Sequence, residues 1–96
     1  MDVLVAYDVS TETKAGRRRL RHVAEVCKNY GQRVQNSVFE CSLNATKYEQ
    51  LVSELTGEID PEEDSLRIYT LGRSIEECVE TWGEDRSIDF DDPLIY

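Results

Sequence analysis

The stretch VLVAYDVS, residues 3–10, places four apolar residues in a row before a tyrosine and an aspartate. A short run that is rich in β-branched residues and free of Gly and Pro is typical of a buried strand. The stretch therefore predicts a strand over residues 2–9. Because a carboxylate is costly to bury, we expect Asp8 to mark the end of this strand, beside a polar connector.

A helix is predicted after the connector STETKAG, residues 10–16. From Arg17 to Tyr30 the apolar residues recur every three or four positions, which indicates one apolar stripe along a helix. Gly31 then fits a C-cap. The next twelve residues, QRVQNSVFECSL (32–43), exceed the usual length of a strand. A tight hairpin that breaks near Asn36 is preferred, and one kinked strand is the alternative.

The second half of the chain repeats the order of a helix followed by a strand. Thr46 and Glu49 fit a capping box, so we expect a helix from there to Gly57. LRIYTL, residues 66–71, alternates as a strand does. The order strand, helix, strand, strand, helix, strand predicts an α+β fold, ferredoxin-like βαββαβ, with an antiparallel sheet and two helices on one face.

The end of the chain is open to two interpretations. Residues 75–83 have helical spacing, yet their apolar residues also suit a short strand. Residues 84–96 end in Leu, Ile and Tyr, which either add a strand to a neighbouring sheet or fold onto their own chain. Length predicts that residues 1–96 form one domain, and dimerisation would help so short a chain to bury apolar surface.

Charge is segregated along the sequence. The net charge is -9, but residues 1–48 hold eight basic and five acidic side chains, whereas residues 49–96 hold three basic and fifteen acidic ones. Overall charge is therefore a poor guide to nucleic-acid binding, which depends on whether basic groups share one face. No apolar run is long enough for a membrane span and no export signal is present, so we expect a cytoplasmic protein without membrane contact.

The remaining chemical candidates are few. Three separated cysteines predict neither disulfides nor a zinc site, and the single histidine, His22, suits a helix surface better than a metal site. Asp8 suits an acid that starts a turn or a helix. It is also placed to hold Mg²⁺, which takes one or two protein carboxylates and fills its other positions with water and phosphate oxygens. A dimer axis that joined two copies of Asp8 would supply the second carboxylate.

Basic residues cluster early in the first predicted helix. Cations at the start of a helix are unfavourable, so the cluster indicates an anionic ligand such as phosphate. A patch that bridges to the acidic half is the alternative. Phe39 alone suits the core and Arg33 alone suits the surface, but together they could form a basic edge beside Asp8. The cluster comprises Arg17, Arg18, Arg19 and Arg21.

The sequence resembles the small CRISPR-associated endonuclease family, the partner of the CRISPR integrase in spacer acquisition. The resemblance rests on LVAYDVS, then RRRLRHVAEVCKNYG, then QRVQNSVFECSL, and in the second half on LRIYTLG. It implies a ferredoxin-like fold, a homodimer, and Mg²⁺-dependent cleavage of single-stranded RNA or double-stranded DNA.

The resemblance also implies roles for particular residues. Asp8 is the implied metal-binding and catalytic residue, and Tyr7, Arg33 and Phe39 have implied supporting roles. By its charge, Arg33 also joins the helix arginines as a candidate nucleic-acid contact. It favours a strand over residues 77–82, and an exchange of residues 84–96 onto the partner's sheet.

A structural adaptor role in the integration of new spacers can accompany the nuclease, and two other functions are alternatives to it. One is a scaffold for the integrase that holds DNA through phosphate contacts without cutting it. The other is an RNA-cleaving toxin of the same fold. An acylphosphatase of this fold is disfavoured, because the connector after the first strand lacks a glycine-rich phosphate loop.

Overall fold

The structure, a computed structural model, describes residues 1–83. The element order confirms the predicted βαββαβ arrangement, and the predicted exchange of residues 84–96 lies outside the described residues. No helix within residues 1–83 is long and apolar enough to cross a membrane. The elements are β1 Asp2–Asp8, α1 Lys14–Tyr30, β2 Gln32–Gln35, β3 Val38–Ser42, α2 Ala45–Glu58, β4 Ser65–Leu71 and α3 Ile75–Cys78.

The four strands form one antiparallel sheet in the order β2-β3-β1-β4. The first strand is central, and it pairs with both β3 and β4. The preferred hairpin is confirmed, because β2 and β3 pair across a turn at Asn36 and Ser37. The register shifts between Arg33 and Gln35, which lets the short β2 follow the hairpin turn.

The two faces of the sheet differ in burial. On β1 the alternate residues Val3, Val5 and Tyr7 are buried against the helices. Successive side chains of a strand point to opposite faces, so Leu4 and the other even-numbered residues of β1 lie on the second face, which we call the open sheet face. Its apolar members are only partly buried or exposed: Leu4, Ala6, Val38, Tyr69 and Leu71.

Both long helices pack on the first face. The apolar side chains that fill the core come from every element of the βαββαβ unit except β2 and β4. Leu66 and Ile68 of β4 are partly buried and pack against this core. Burial raises the pKa of the Cys27 thiol to about 12 and that of Cys41 to about 11, so both behave as packed apolar groups. The fully buried side chains of this core include Val23, Cys27, Phe39, Cys41, Leu51 and Leu55.

The first helix begins earlier than the sequence predicts. Thr13 is its N-cap, since the Thr13 side-chain oxygen accepts a hydrogen bond from the Gly16 N–H at 3.0 Å. The connector is therefore shorter than residues 10–16, and the predicted start at Arg17 is wrong by three residues. The helix ends at Tyr30 with Gly31 as its C-cap, as expected.

The capping box predicted for the second helix is also wrong. Asn44 is the N-cap, and its side-chain oxygen accepts a hydrogen bond from the Lys47 N–H at 2.8 Å. Thr46 therefore lies inside the first turn. The helix runs through Gly57 to Glu58, because the Ile59 N–H still donates to the Leu55 carbonyl.

The strand expected over residues 77–82 is absent from the described part of the chain. Ile75–Cys78 forms one helical turn, which agrees with the helical spacing of the apolar residues there. The turn is attached to β1, since the Ile75 N–H donates to an Asp2 carboxylate oxygen at 2.9 Å. A strand requires a paired neighbour, and among residues 1–83 nothing pairs with this segment. Trp82 is 80% exposed.

Gly16 provides a test of how tightly the loop after β1 packs on the first helix. A Cβ atom at this position would overlap the carbonyl oxygen of Ser10. We expect Gly16→Ala to lower the free energy of unfolding by about 1–3 kcal/mol, as overpacking does. Urea unfolding measures the change. Gly57→Ala is the matched control, because a Cβ there meets nothing within 4 Å and should stabilise the protein by about 0.4–1 kcal/mol.

Candidate metal and nucleic-acid site

Asp8 is the last residue of the central strand and lies on the open sheet face. The strand pairs Asp8 with Ser65 of β4, while Tyr7 before it points into the core. The side chain of Asp8 is exposed, and within residues 1–83 no hydrogen-bond donor contacts its carboxylate. Asp8 is therefore available to a ligand, as its position at the strand end predicts.

A cluster of metal ligands within one chain is absent. Among the described residues no three His, Cys, Asp or Glu side chains lie close enough together to hold a metal ion. Asp8 is the exposed carboxylate that ends β1, and among the described residues no group of three ligands includes it. Mg²⁺ usually binds to one or two carboxylates and keeps several waters, so the exposed Asp8 fits such an ion as one of two ligands.

The basic cluster lies at the same end of the molecule as Asp8. Only residues 9–13 separate β1 from α1, so the first two turns of α1 follow directly after the strand end. Arg18 and Arg21 are exposed, and in residues 1–83 neither has an acidic partner. Arg17 is exposed and donates from Nη1 to the Thr11 carbonyl at 3.2 Å. These three guanidinium groups remain accessible to phosphate.

Arg19 differs from its neighbours because it is paired. Its Nε donates to Asp64 Oδ2 at 2.9 Å and its Nη2 to Asp64 Oδ1 at 3.4 Å. The side chain of Arg19 is 21% exposed and that of Asp64 is fully buried. This contact raises the pKa of Arg19 further, so the pair stays ionised at neutral pH. Of the four arginines predicted to bind phosphate, three are therefore accessible and one, Arg19, is paired with Asp64.

Arg33 is not at the surface, and it does not form an edge beside Asp8. It pairs with Phe39 across the hairpin, so it lies on the helix-covered face, opposite to Asp8. Its residue exposure is 1%, its guanidinium carbon lies 5.1 Å from the centre of the Phe39 ring, and its three side-chain nitrogens have no hydrogen-bond partner in the described chain. A cation over an aromatic face is attracted by the ring, which gives Arg33 a place in the core that its charge alone does not predict.

Tyr7 and Phe39 pack against each other on the helix-covered face of the sheet, opposite to Asp8. Their ring centroids are 6.2 Å apart and the rings are stacked at 26°. Burial raises the pKa of the Tyr7 hydroxyl to about 12, so it is neutral at physiological pH. The hydroxyl donates to the Asn36 carbonyl at 3.5 Å, which links β1 to the hairpin turn. Both residues are thus placed to hold the end of β1 and not to touch a ligand on the open sheet face.

His22 has the helix-surface position that the sequence indicates. Its Nδ1 lies 3.2 Å from Glu58 Oε2, across the contact between α1 and α2. His22 therefore contacts α2 through Glu58.

Asp64 is the residue that sequence reasoning missed. It lies in an acidic loop, EIDPEED, in which all five acids look like solvated surface charges. The structure buries this one carboxylate against the loop after β1. No local signal distinguishes Asp64 from the other acids of this loop, because the residues that contact it, Arg19 and Ser10, are 45 and 54 positions away in the sequence.

The acid stability of the protein should depend on Asp64. Burial of this carboxyl raises its pKa, but hydrogen bonds from Arg19 and from the Asp60 and Ser10 N–H groups outweigh burial and hold the pKa below its ordinary value of 3.8. A lowered pKa in the folded state stabilises the protein above the unfolded pKa, and this stabilisation is lost as pH falls through the folded value. Urea unfolding at pH 7 and pH 3 should show less pH dependence for Asp64→Asn than for the parent. An unchanged pH dependence would contradict the assignment.

Known proteins resemble this chain over nearly its whole length. The family model described as CRISPR associated protein Cas2 matches residues 1–77. A CRISPR-associated endonuclease Cas2 from Halalkalibacterium halodurans is 55% identical over 96 residues and covers 100% of both chains. A CRISPR-associated endoribonuclease Cas2 from Moorella thermoacetica is 54% identical over 95 residues and covers 99% of both chains.

Solved structures show the same similarity. The crystal structure of Streptococcus pyogenes Cas2 superposes with a TM-score of 0.76 at 57% sequence identity, and covers 86% of this chain and 100% of that one. The family match, the identities and the shared ferredoxin-like fold agree with each other. The chain therefore belongs to the CRISPR-associated Cas2 family of nucleases.

Proposed function

We propose that the protein is a homodimeric, Mg²⁺-dependent endonuclease that cuts single-stranded RNA or double-stranded DNA, with Asp8 of both subunits at one shared site. The observation that carries the proposal is the position of Asp8. It is an exposed carboxylate at the end of the central strand, on the sheet face that the two long helices leave uncovered. The relatives named as endonuclease and endoribonuclease support a nuclease of either substrate class.

The apolar residues of the open sheet face are the argument for a dimer. Leu4, Ala6 and Val38 are partly buried there, and Tyr69 is 45% exposed. Apolar residues grouped on an exposed face indicate an interaction surface. A second copy of the chain is the occupant we propose, since a two-fold contact joins the same patch of both subunits. Asp8 shares this face, so a two-fold axis near the Asp8 end of β1 would bring two carboxylates together.

The chain's own residues would then have distinct tasks. The two Asp8 carboxylates would hold Mg²⁺. The exposed Arg17, Arg18 and Arg21, in the first turns of α1, would bind the phosphate groups of the nucleic acid. When bound, Mg²⁺ polarises a phosphate oxygen and lowers the pKa of a bound water. The buried Tyr7 fixes the backbone directly before Asp8. Purified protein should therefore cut RNA or DNA with Mg²⁺ and not with EDTA, and the absence of cleavage of both would contradict the nuclease.

A structural role in spacer acquisition is the second candidate, in which the dimer joins CRISPR integrase subunits and holds DNA without cutting it. The observation that favours it is the pair of exposed arginines on α1, Arg18 and Arg21, which the described chain leaves without acidic partners. Phosphate contacts from such groups release counterions and make binding depend on salt. This role is compatible with nuclease activity, and it needs the arginines but not Asp8.

Salt dependence measures the contribution of these arginines. We expect Arg18→Gln and Arg21→Gln each to weaken duplex DNA binding and to reduce the slope of log K against log salt by about 0.9. Fluorescence anisotropy over a salt series gives both values. Arg73→Gln is the control, because Arg73 is an exposed arginine that follows the opposite end of β4. Equal slopes for all three variants would contradict a binding role for α1.

A further inference from the structure

The Asp64 carboxylate joins three segments of the chain. Its oxygens accept hydrogen bonds from the Ser10 N–H at 3.1 Å, the Asp60 N–H at 2.8 Å and the Arg19 Nε at 2.9 Å. Ser10 belongs to the loop after β1, Arg19 to α1, and Asp60 to the loop before β4. A buried carboxylate with this many donors is held in one position, since charge-assisted hydrogen bonds are short and strong.

Two of these three segments adjoin Asp8. Ser10 lies two residues after Asp8, and Ser65, which directly follows Asp64, is the partner of Asp8 in the pairing of β1 with β4. Asp64 therefore restrains the chain of Asp8 from two sides. The Asp64 side chain itself is fully buried and makes its hydrogen bonds on the loop side, so it restrains Asp8 through the backbone.

Arg19 completes this arrangement. Two of its nitrogens contact Asp64, and its side chain is 21% exposed, whereas Arg18 and Arg21 are exposed and lack such a partner within residues 1–83. A guanidinium already paired with a buried carboxylate would leave that carboxylate without a counterion if it moved to a phosphate. Arg19 is therefore placed to hold the loop and not to contact nucleic acid.

We infer that Asp64 is a positioning residue for the site at Asp8, and that Arg19 acts with it as a clamp instead of binding nucleic acid. The inference rests on the proposed nuclease function, and it separates Arg19 from the neighbouring arginines. A small displacement of a metal-binding carboxylate reduces the rate of reaction more than it reduces substrate binding.

Steady-state kinetics with Mg²⁺ distinguish the two roles. We expect Asp64→Asn and Arg19→Gln each to lower kcat by about 10- to 100-fold and to leave KM within about twofold, as loss of outer-sphere support does. The kcat of the double variant should be little lower than that of either single variant, because both changes break the same contact between Arg19 and Asp64. Arg18→Gln should instead raise KM. Glu62→Gln removes a charge from the same acidic loop and should leave both constants unchanged.

Two results would overturn the inference. One is an Arg19→Gln variant with a raised KM and a reduced salt slope, as a phosphate contact would give. The other is a folded Asp64→Asn variant with the parent's kcat. If Asp64→Asn does not fold, Arg19→Lys decides, because lysine keeps the charge but lacks the planar guanidinium whose two nitrogens contact the two carboxylate oxygens. The clamp predicts a lowered kcat for this variant, and a phosphate contact predicts nearly the parent's kcat.

Measurements of duplex DNA binding test this inference independently of the nuclease proposal. If the parent cuts neither RNA nor DNA, the nuclease proposal fails, and duplex binding then tests the role of Arg19. The clamp predicts that Arg19→Gln retains the parent's affinity and salt slope while hydrogen exchange at the Ser10 amide accelerates. A weakened affinity with a reduced slope, or an unchanged exchange rate, would overturn it.

Discussion

Replacing Asp8 with alanine is expected to lower Mg²⁺-dependent cleavage about 100-fold or more. A metal ion contributes several kcal/mol to stabilising a phosphoryl transition state, and each 1.4 kcal/mol corresponds to about tenfold in rate. Asp8 is the exposed carboxylate at the end of β1, and the described chain holds no cluster of ligands that could replace it. Initial rates on labelled RNA and duplex DNA, with and without Mg²⁺, measure the loss.

This experiment has two controls, which are the stability of the Asp8→Ala variant and a matched variant at Glu12. Because Asp8 is exposed and no donor in residues 1–83 contacts it, the free energy of unfolding should stay within about 0.5 kcal/mol of the parent. Glu12→Ala removes an exposed acid from the loop after the same strand and should cleave like the parent. Parental cleavage by a folded Asp8→Ala variant would contradict the metal assignment.

Replacing Leu4 with lysine is expected to convert the dimer to monomers and to abolish cleavage although Asp8 is intact. Leu4 lies in the middle of the central strand on the open sheet face, so the lysine would place a charge among the apolar residues of the proposed interface. A residue at such a position can contribute about 2 kcal/mol or more, which raises the dissociation constant at least about 30-fold. Sedimentation equilibrium measures this change.

The control for Leu4→Lys adds the same charge elsewhere. Ser53 is exposed on α2, away from the sheet, and Ser53→Lys should remain a dimer and remain active. A Leu4→Lys monomer that still cuts nucleic acid would show that one subunit suffices. A Leu4→Lys variant that stays dimeric would show that the subunits meet through another surface.

The main elements of the fold could be predicted because each has a local signal. The apolar run of β1 and the turn chemistry at Asn36 act within a few residues, and the hairpin and the strand order follow from them. The helix starts were less accurate. Thr13 and Asn44 are caps only because their backbone is extended and their side chains reach back to the first turn, and similar polar residues stand nearby in both connectors.

The contacts around the site depend on distant parts of the chain, which explains what the sequence did not reveal. Arg19 and Asp64 are 45 positions apart, and nothing local distinguishes Asp64 from the other acids of its loop. Arg33 is buried because the hairpin register places it beside Phe39, whereas its charge alone predicts exposure. The exposed position of Asp8 could be predicted because it follows from the strand that Asp8 ends.

A crystal of the protein soaked in Mn²⁺ would show whether two Asp8 carboxylates share one metal ion. Anomalous diffraction locates the ion, and we expect density between the Asp8 carboxylates of two subunits related by a two-fold axis. A dimer whose Asp8 side chains point away from each other, with Mn²⁺ bound elsewhere, would contradict the shared site.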